Sequence, residues 1–239
     1  HGQQGQNNTT QYSSPVQIPG TTWSKVFSLG QYSVGAIKTD GTLWAWGNGG
    51  DYGNLAQGNK TNYSSPVQIP GTTWSQIAGT QTGARAIKTD GTLWGWGNNS
   101  RGQLGVNDRT QYSSPKQVGS DTTWSKVYGG RYNSIAIKTD GTLWTWGDNE
   151  RGNLGKNNTT QYSSPVQIPG TTWEKCYMTQ QSFAIKTDGT LWAWGMNTYG
   201  SLGQNGPVNT QYSSPVQIPG TNWHEITGLN QKPFGIKYL

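Results

Sequence analysis

The sequence predicts an all-β fold, a five-bladed β-propeller whose four-stranded blades are about fifty residues long. Three observations predict it. A unit recurs five times in 239 residues: Tyr-Ser-Ser-Pro places Pro15, Pro66, Pro115, Pro165 and Pro215 at spacings of 51, 49, 50 and 50. All 13 tryptophans belong to that unit, as five single anchors (Trp23, Trp74, Trp124, Trp173, Trp223) and four Trp-x-Trp pairs. The Trp-x-Trp segment also carries bulk on both faces, as with Trp144 and Trp146 on one side and Leu143 on the other. A sheet with one wet face alternates apolar with polar, whereas a blade packs against a neighbour on each side.

Each unit reads as four short strands with no 3.6-residue period. Pro-Val-Gln-Ile-Pro is an extended piece whose prolines suit an edge place. Trp124 to Tyr128 alternates and is a second strand, Ser134 to Lys138 a third and Thr142 to Trp146 a fourth. Asp140-Gly141 between the last two marks a tight hairpin, because glycine accepts the positive φ such turns need. The repeated Asp40, Asp90, Asp140 and Asp188 are turn formers on this reading. The whole is one domain with units at about 11–61, 62–110, 111–160 and 161–210, and a fifth made of 211–239 plus 1–10.

That fifth unit is incomplete. It stops at Leu239, before its Asp-Gly hairpin, while His1-Gly2-Gln3-Gln4-Gly5 aligns with Arg101-Gly102-Gln103-Leu104-Gly105 and Asn7 with Asn107. The expectation is a closing blade shared by the two ends, lacking one Trp-x-Trp strand. Residues upstream of His1 are the first candidate to supply it; a gapped blade or a strand from another chain are the alternatives.

Composition narrows the function. Charged residues are 12% of the chain, the net charge is +6 with no two Lys or Arg adjacent, and the polarity comes from Gly, Asn, Gln, Ser and Thr. Nucleic acid is therefore not an expected partner. No stretch approaches a membrane span, and no signal peptide opens the chain. The single Cys176 stands where other units carry Val26, Ile77, Val127 and Ile226, so it reads as core filler and no cysteine zinc site is possible. The histidines His1 and His224 lie in different units, and Glu150, Glu174 and Glu225 form no repeated pair. No catalytic residue, metal site or cofactor is assigned. Lys38, Lys88, Lys138, Lys186 and Lys237 invite a ring that attracts an anion, but solvated strand ends are the preferred reading.

Binding residues are sought where the copies differ. Between the second and third strands these are Tyr32, Arg85, Arg131, Tyr132, Gln181 and Lys232; after the Trp-Gly strand they are Tyr52, Arg101, Arg151 and Tyr199. Aromatic and arginine side chains of this kind anchor interfaces or stack on sugars.

The order Asp90-Gly91, Leu93-Trp94-Gly95-Trp96-Gly97, Arg101-Gly102-Gln103-Leu104-Gly105 resembles the regulator of chromosome condensation repeat family over nearly the whole chain. The resemblance implies a propeller, though the best-known members have seven blades and this chain has five units. A histidine the family often places before the third strand is absent, that region reading Tyr132-Asn133-Ser134. Two functions are expected. The first is a non-enzymatic recognition or adhesion module on a virus particle or cell surface, binding a protein or glycan, with a multivalent lectin as one version of it; the low charge and the Asn/Gln/Thr/Ser/Gly bias resemble phage fibre and microbial surface proteins. The second, implied by the family's eukaryotic members, is an intracellular interaction propeller with a small GTPase or chromatin partner. On either reading the chain can be part of a larger chain or assembly.

Overall fold

The computed structural model describes residues 2–30, 32–229 and 232–237. It is all-β apart from one 3-10 turn, with four antiparallel four-stranded sheets and one two-stranded sheet. Blade 1 comprises β1 (Trp23–Ser28), β2 (Ser33–Lys38), β3 (Leu43–Gly47) and β4 (Tyr63–Gln68). Blade 2 comprises β5 (Trp74–Thr80), β6 (Gly83–Lys88), β7 (Leu93–Gly97) and β8 (Tyr112–Gln117). Blade 3 comprises β9 (Trp124–Gly129), β10 (Asn133–Lys138), β11 (Leu143–Gly147) and β12 (Tyr162–Ile168). Blade 4 comprises β13 (Trp173–Met178), β14 (Gln181–Lys186), β15 (Leu191–Met196) and β16 (Gln211–Ile218). The last sheet pairs β17 (Trp223–Leu229) with β18 (Lys232–Lys237).

Blades and sequence units are out of phase. The Tyr-Ser-Ser-Pro strand that opens each unit is the outer edge of the preceding blade: β4, from the second unit, pairs with β3 of the first. Its place at an edge is the one its proline allows. The single-tryptophan strands lie innermost and run side by side around the axis. Side chains tie them together, with Lys25 Nζ donating to Ser75 O (2.7 Å), Gln76 Nε2 to Val127 O (3.3 Å), Lys126 Nζ to Glu174 O (2.7 Å) and Lys175 Nζ to His224 O (2.8 Å).

Each blade has an aromatic front and an aliphatic back. On the front of blade 3, Trp124 meets Trp144 and Trp146 edge-on, with ring centroids 6.1 Å apart. On its back, Ile135, Ile137, Leu143 and Ile168 pack against Trp173, Cys176 and Trp194 of blade 4. This front-to-back contact recurs at each junction and is where the apolar surface goes. Cys176 is buried within it and its thiol pKa is pushed up by burial, as core filler should be.

The motif Thr-Asp-Gly-Thr-Leu-Trp is spelled out by one chain of hydrogen bonds. Asp140 Oδ1 accepts from Thr142 N (2.9 Å) and Oγ1 (2.7 Å), and Thr142 Oγ1 accepts from Trp144 Nε1 (2.9 Å). The same set occurs at Asp40, Asp90 and Asp188 and holds those carboxyls below their ordinary pKa. The Gly of the later Leu-Gly pair is fixed by a close approach: at Gly105 (φ +80°) a Cβ would lie 2.7 Å from Trp146 Nε1.

The repeated lysines are neither a channel ring nor free strand ends. Each of Lys38, Lys88, Lys138, Lys186 and Lys237 rests its ammonium 4.2–4.9 Å from the centroid of at least one tryptophan ring, and the first four lie against two. Lys138 also pairs with Asp121, whose pKa falls from 3.8 to about 2 because of that bond and one from Thr123. A depressed acid contributes stability above its unfolded pKa and loses it as pH falls through the folded value. Asp121→Asn should therefore be less stable than the parent at pH 5, with the gap closing between about pH 4 and 2. Denaturant midpoints measured across that range check this, and a gap that ignores pH would contradict it.

Residues 2–10 take the place expected from their alignment: Trp46 Nε1 donates to Gln3 O (2.8 Å) as Trp146 Nε1 does to Gln103 O (2.9 Å), and Asn7 N donates to Ser64 O (2.8 Å) as Asn107 N does to Ser163 O (2.8 Å). They dock on blade 1. The shared closing blade is not formed among the described residues. Val26, on the front of blade 1, is 67% exposed where Ile77, Val127 and Cys176 are 8%, 1% and 6%. Ile236, on the back of the last sheet, is 43% exposed where its counterparts are 2–3%. Residues 11–19, with the sequence of an outer-edge strand, form no strand, since their pairing partner would be the absent Trp-x-Trp segment. His1 lies outside the described residues.

Candidate functional site

The hairpins joining the two inner strands of each blade gather at one mouth of the central channel. The loops after the Trp-Gly strands open on the same face, because Asn48 N, Asn98 N and Asp148 N each donate (2.9 Å) to the hairpin carbonyls of Tyr32, Thr82 and Tyr132. The Trp-Gly glycine allows this approach: a Cβ at Gly147 (φ +100°) would sit 2.5 Å from Tyr132 O. The Asp-Gly turns lie at the other ends of the same strands. The mouth encloses a cavity of about 460 Å³ lined by residues of four hairpins, including Gly30, Thr80, Gln81, Arg131, Met178 and Gln180.

Outward from this mouth, over blades 2 and 3, a polar network joins three variable loops. The Arg131 guanidinium lies 5.0 Å from the Tyr132 ring centroid. Arg101, near Tyr132, reaches across the blade junction to Asp148 (3.4 Å) and Glu150. Gln161 Nε2 donates to Asp148 Oδ1 (3.1 Å), and Arg109 Nη2 donates to Gln161 Oε1 (3.1 Å). Glu150 and Asp148 raise the Arg101 pKa, whereas burial, with the Glu150 charge beside it, raises that of Asp148. The result is a surface of alternating sign set around an arginine–tyrosine stack, with hydrogen-bonding groups held in place by one another.

Among the expected residues, Arg131, Tyr132 and Arg101 are brought together here. Tyr32 (41% exposed) stands on the blade 1 hairpin of the same face, and Tyr52 and Arg151 lie in the adjoining loops, half-buried and exposed respectively. Tyr199 is 90% exposed in the blade 4 loop and held at φ 54°, a left-handed conformation costly for a bulky residue.

Two expectations are corrected. Arg85 is not on a loop: it belongs to β6, 1% exposed, on the back of blade 2 where β10 and β14 carry Ile135 and Phe183. Its Nε donates to Gln103 O (2.7 Å) and Ser134 Oγ (2.9 Å), and its Nη1 to Ala84 O (3.0 Å). Opposite it stands Gly95, whose missing side chain leaves room for the arginine stem, a Cβ there lying 3.3 Å from Arg85 Cδ. Gln181 is likewise in a strand, β14, and 3% exposed, bonding Ser201 Oγ (3.2 Å) to steady the loop above it. The Lys232 side chain lies outside what the structure describes.

Asp148 and Gln161 are additional to the expected residues, while Arg109 belongs to a third stretch where the copies differ, just before Tyr-Ser-Ser-Pro. Asp148 carried a signal, since the matching position holds Asn48, Asn98 and Met196. Gln161 carried none, being glutamine or asparagine in every copy.

The regulator of chromosome condensation (RCC1) repeat model matches residues 40–82, 90–137, 140–176 and 188–228, and a second RCC1 repeat model matches 124–153. No curated protein matches the chain. Among solved structures, yeast RCC1 (Prp20) bound to Kap60 is 21% identical, with a TM-score of 0.78 over 95% of this chain and 57% of that one. Prp20p from Saccharomyces cerevisiae, described with its binding properties to Gsp1p and histones, gives 21%, 0.76, 89% and 55%. Human WBSCR16 gives 22%, 0.73, 88% and 56%. The chain thus spans a little over half the length of each.

Proposed function

The chain belongs to the regulator of chromosome condensation (RCC1) repeat family, and from that premise we infer that it is a protein-recognition module that engages its partner through the hairpin face. The observation that carries this reading is the network from Arg131 to Arg109, which gathers residues from three loops, each variable between copies, on one face of a rigid scaffold. Arginine and tyrosine held in place lose little entropy on binding, which makes them effective anchors. The Prp20 structures, described with Gsp1p, histones and Kap60 as partners, support protein binding as the mode without naming the partner of this chain. The low charge and the Asn/Gln/Thr/Ser/Gly bias support display on a virus particle or cell surface, where the partner would be a surface protein, with a surface glycan as the alternative.

A variant carrying Arg131→Glu and Tyr132→Ala tests the reading. Both side chains project from a hairpin, so the fold should persist. On paired protein and glycan arrays, a ligand retained by the parent should bind the variant at least about tenfold more weakly. Equal retention by the two would remove this face from the account, and retention of glycans alone would select the alternative ligand.

A further inference from the structure

A second surface, at the opposite end of the strands, carries the features of a ligand site. An open groove of about 330 Å³ lies at the junction of blades 3 and 4, lined by Trp173, Trp192, Lys186, Lys156, Pro169 and Pro215 among others, with no acidic residue in its wall. The Lys186 ammonium lies 4.7 Å from both tryptophan centroids, and no acceptor stands within hydrogen-bond distance of it among the described residues. Lys156 gives its ammonium to Gln167 O at the rim.

Blade 3 shows what the lysine position accepts. Four of the turns leading into the inner strand read Pro-Gly-Thr-Thr or Pro-Gly-Thr-Asn, and hold Thr22, Thr73, Thr172 and Asn222 at positive φ. The fifth, Gly119-Ser120-Asp121-Thr122-Thr123, is one residue longer and delivers the Asp121 carboxylate to Lys138. The lysine–tryptophan arrangement beneath is the same in both blades, with Lys138 4.8 and 4.2 Å from its two rings. The inner tryptophan Nε1 is buried without a hydrogen-bond partner in both, so in blade 3 the carboxylate is held by Lys138 on one oxygen and by its own turn on the other, where Thr123 N (2.9 Å) and Oγ1 (2.6 Å) donate to Asp121 Oδ1. In blade 4 the turn is shorter, Gly170 takes the lysine's flank, and a Cβ there would be 3.8 Å from Lys186 Nζ.

We propose that the blade 4 groove binds an aspartate or glutamate side chain of a protein partner, with the carboxylate on Lys186 as Asp121 is on Lys138 and the rest of the segment against Trp192 and Pro215. The class of partner rests on the protein-recognition reading; the carboxylate rests on the Asp121 precedent. A cation already set against two aromatic faces has little conformational freedom left to lose on pairing.

The probe is a blocked hexaglutamate peptide titrated into the full chain, read by the indole ¹H–¹⁵N resonances of Trp173 and Trp192, with hexaglutamine as control. Saturable shifts at both indoles are expected for hexaglutamate and not for hexaglutamine. Lys186→Gln should weaken binding at least about tenfold, and so should exchange of residues 169–172 for the stretch 119–123, which fills the site from within. Lys138→Gln should leave the titration unchanged, since that position is already occupied. No saturable shift, equal shifts from hexaglutamine, or wild-type affinity in both blade 4 variants would overturn the proposal. None of these readouts involves Arg131 or Tyr132, so failure here and failure at the hairpin face are separable.

Discussion

Trp146→Ala should lower the free energy of unfolding by about 3–5 kcal/mol, among the largest losses expected from one truncation in this chain. The ring is fully buried on the front of blade 3, edge-on to Trp124, and its indole N–H is bonded to the carbonyl of Gln103. Gly105 closes over it, so the hole cannot be filled by a small shift of that loop without moving the Leu104 anchor. The loss comes from apolar transfer and residual cavity together. Trp144→Ala is the control: that ring is only half-buried and packs against Lys138, so its loss should be smaller. Urea unfolding of the three proteins measures both, and equal losses at the two positions would show that the front face does not hold blade 2 to blade 3 as described.

Arg85 is the second large effect, and its direction depends on the replacement. Its guanidinium is buried at a blade junction with neutral acceptors only, and burial lowers its pKa to about 9, which leaves it cationic at neutral pH. Arg85→Ala removes the stem that fills the space over Gly95 and should cost about 2–4 kcal/mol. Arg85→Met restores the volume without the desolvated charge, and the Gln103 carbonyl keeps donors in Trp146 and Ser134. It should be at least as stable as the parent, as apolar replacements of buried charges often are. A methionine variant as unstable as the alanine variant would mean that the hydrogen bonds, not the packing, are what Arg85 contributes.

These two residues show how far the sequence was legible. Trp146 was marked by its recurrence, since four copies of Trp-x-Trp on one face leave few roles except a shared packing surface. The Asp-Gly turns were equally plain, because few residues form such turns and the motif repeats. Arg85 looked like a loop residue because its unit departs from the others there, and charge at a variable position ordinarily means exposure. Its burial becomes intelligible only with Gly95 on the neighbouring strand, a pairing set by register. The tryptophan contacts of the lysines were hidden for a related reason: Lys138, Trp124 and Trp144 lie on three different strands. The outer strand was placed in the wrong blade because a repeat has no intrinsic starting point, and only pairing shows that each unit donates its first strand backwards. The closure of the ring was likewise beyond the repeat pattern, which counts units but does not fix the angle between them.

The hairpin face was legible in part for the same physical reason that hid Arg85. Variable positions mark loops on average, and Arg101, Arg131 and Tyr132 are loop residues that meet. What joins them is a hydrogen-bond network through Asp148 and Gln161 that spans two blades and 60 residues of sequence.

Hydrogen exchange on the chain alone and with its retained ligand tests recognition by this face most directly. New protection should appear at residues 129–132, 148–151 and 101–103, on the hairpins and their adjoining loops. Protection confined to the Asp-Gly turns at 39–42, 89–92, 139–142 and 187–190, at the other end of the strands, would contradict it.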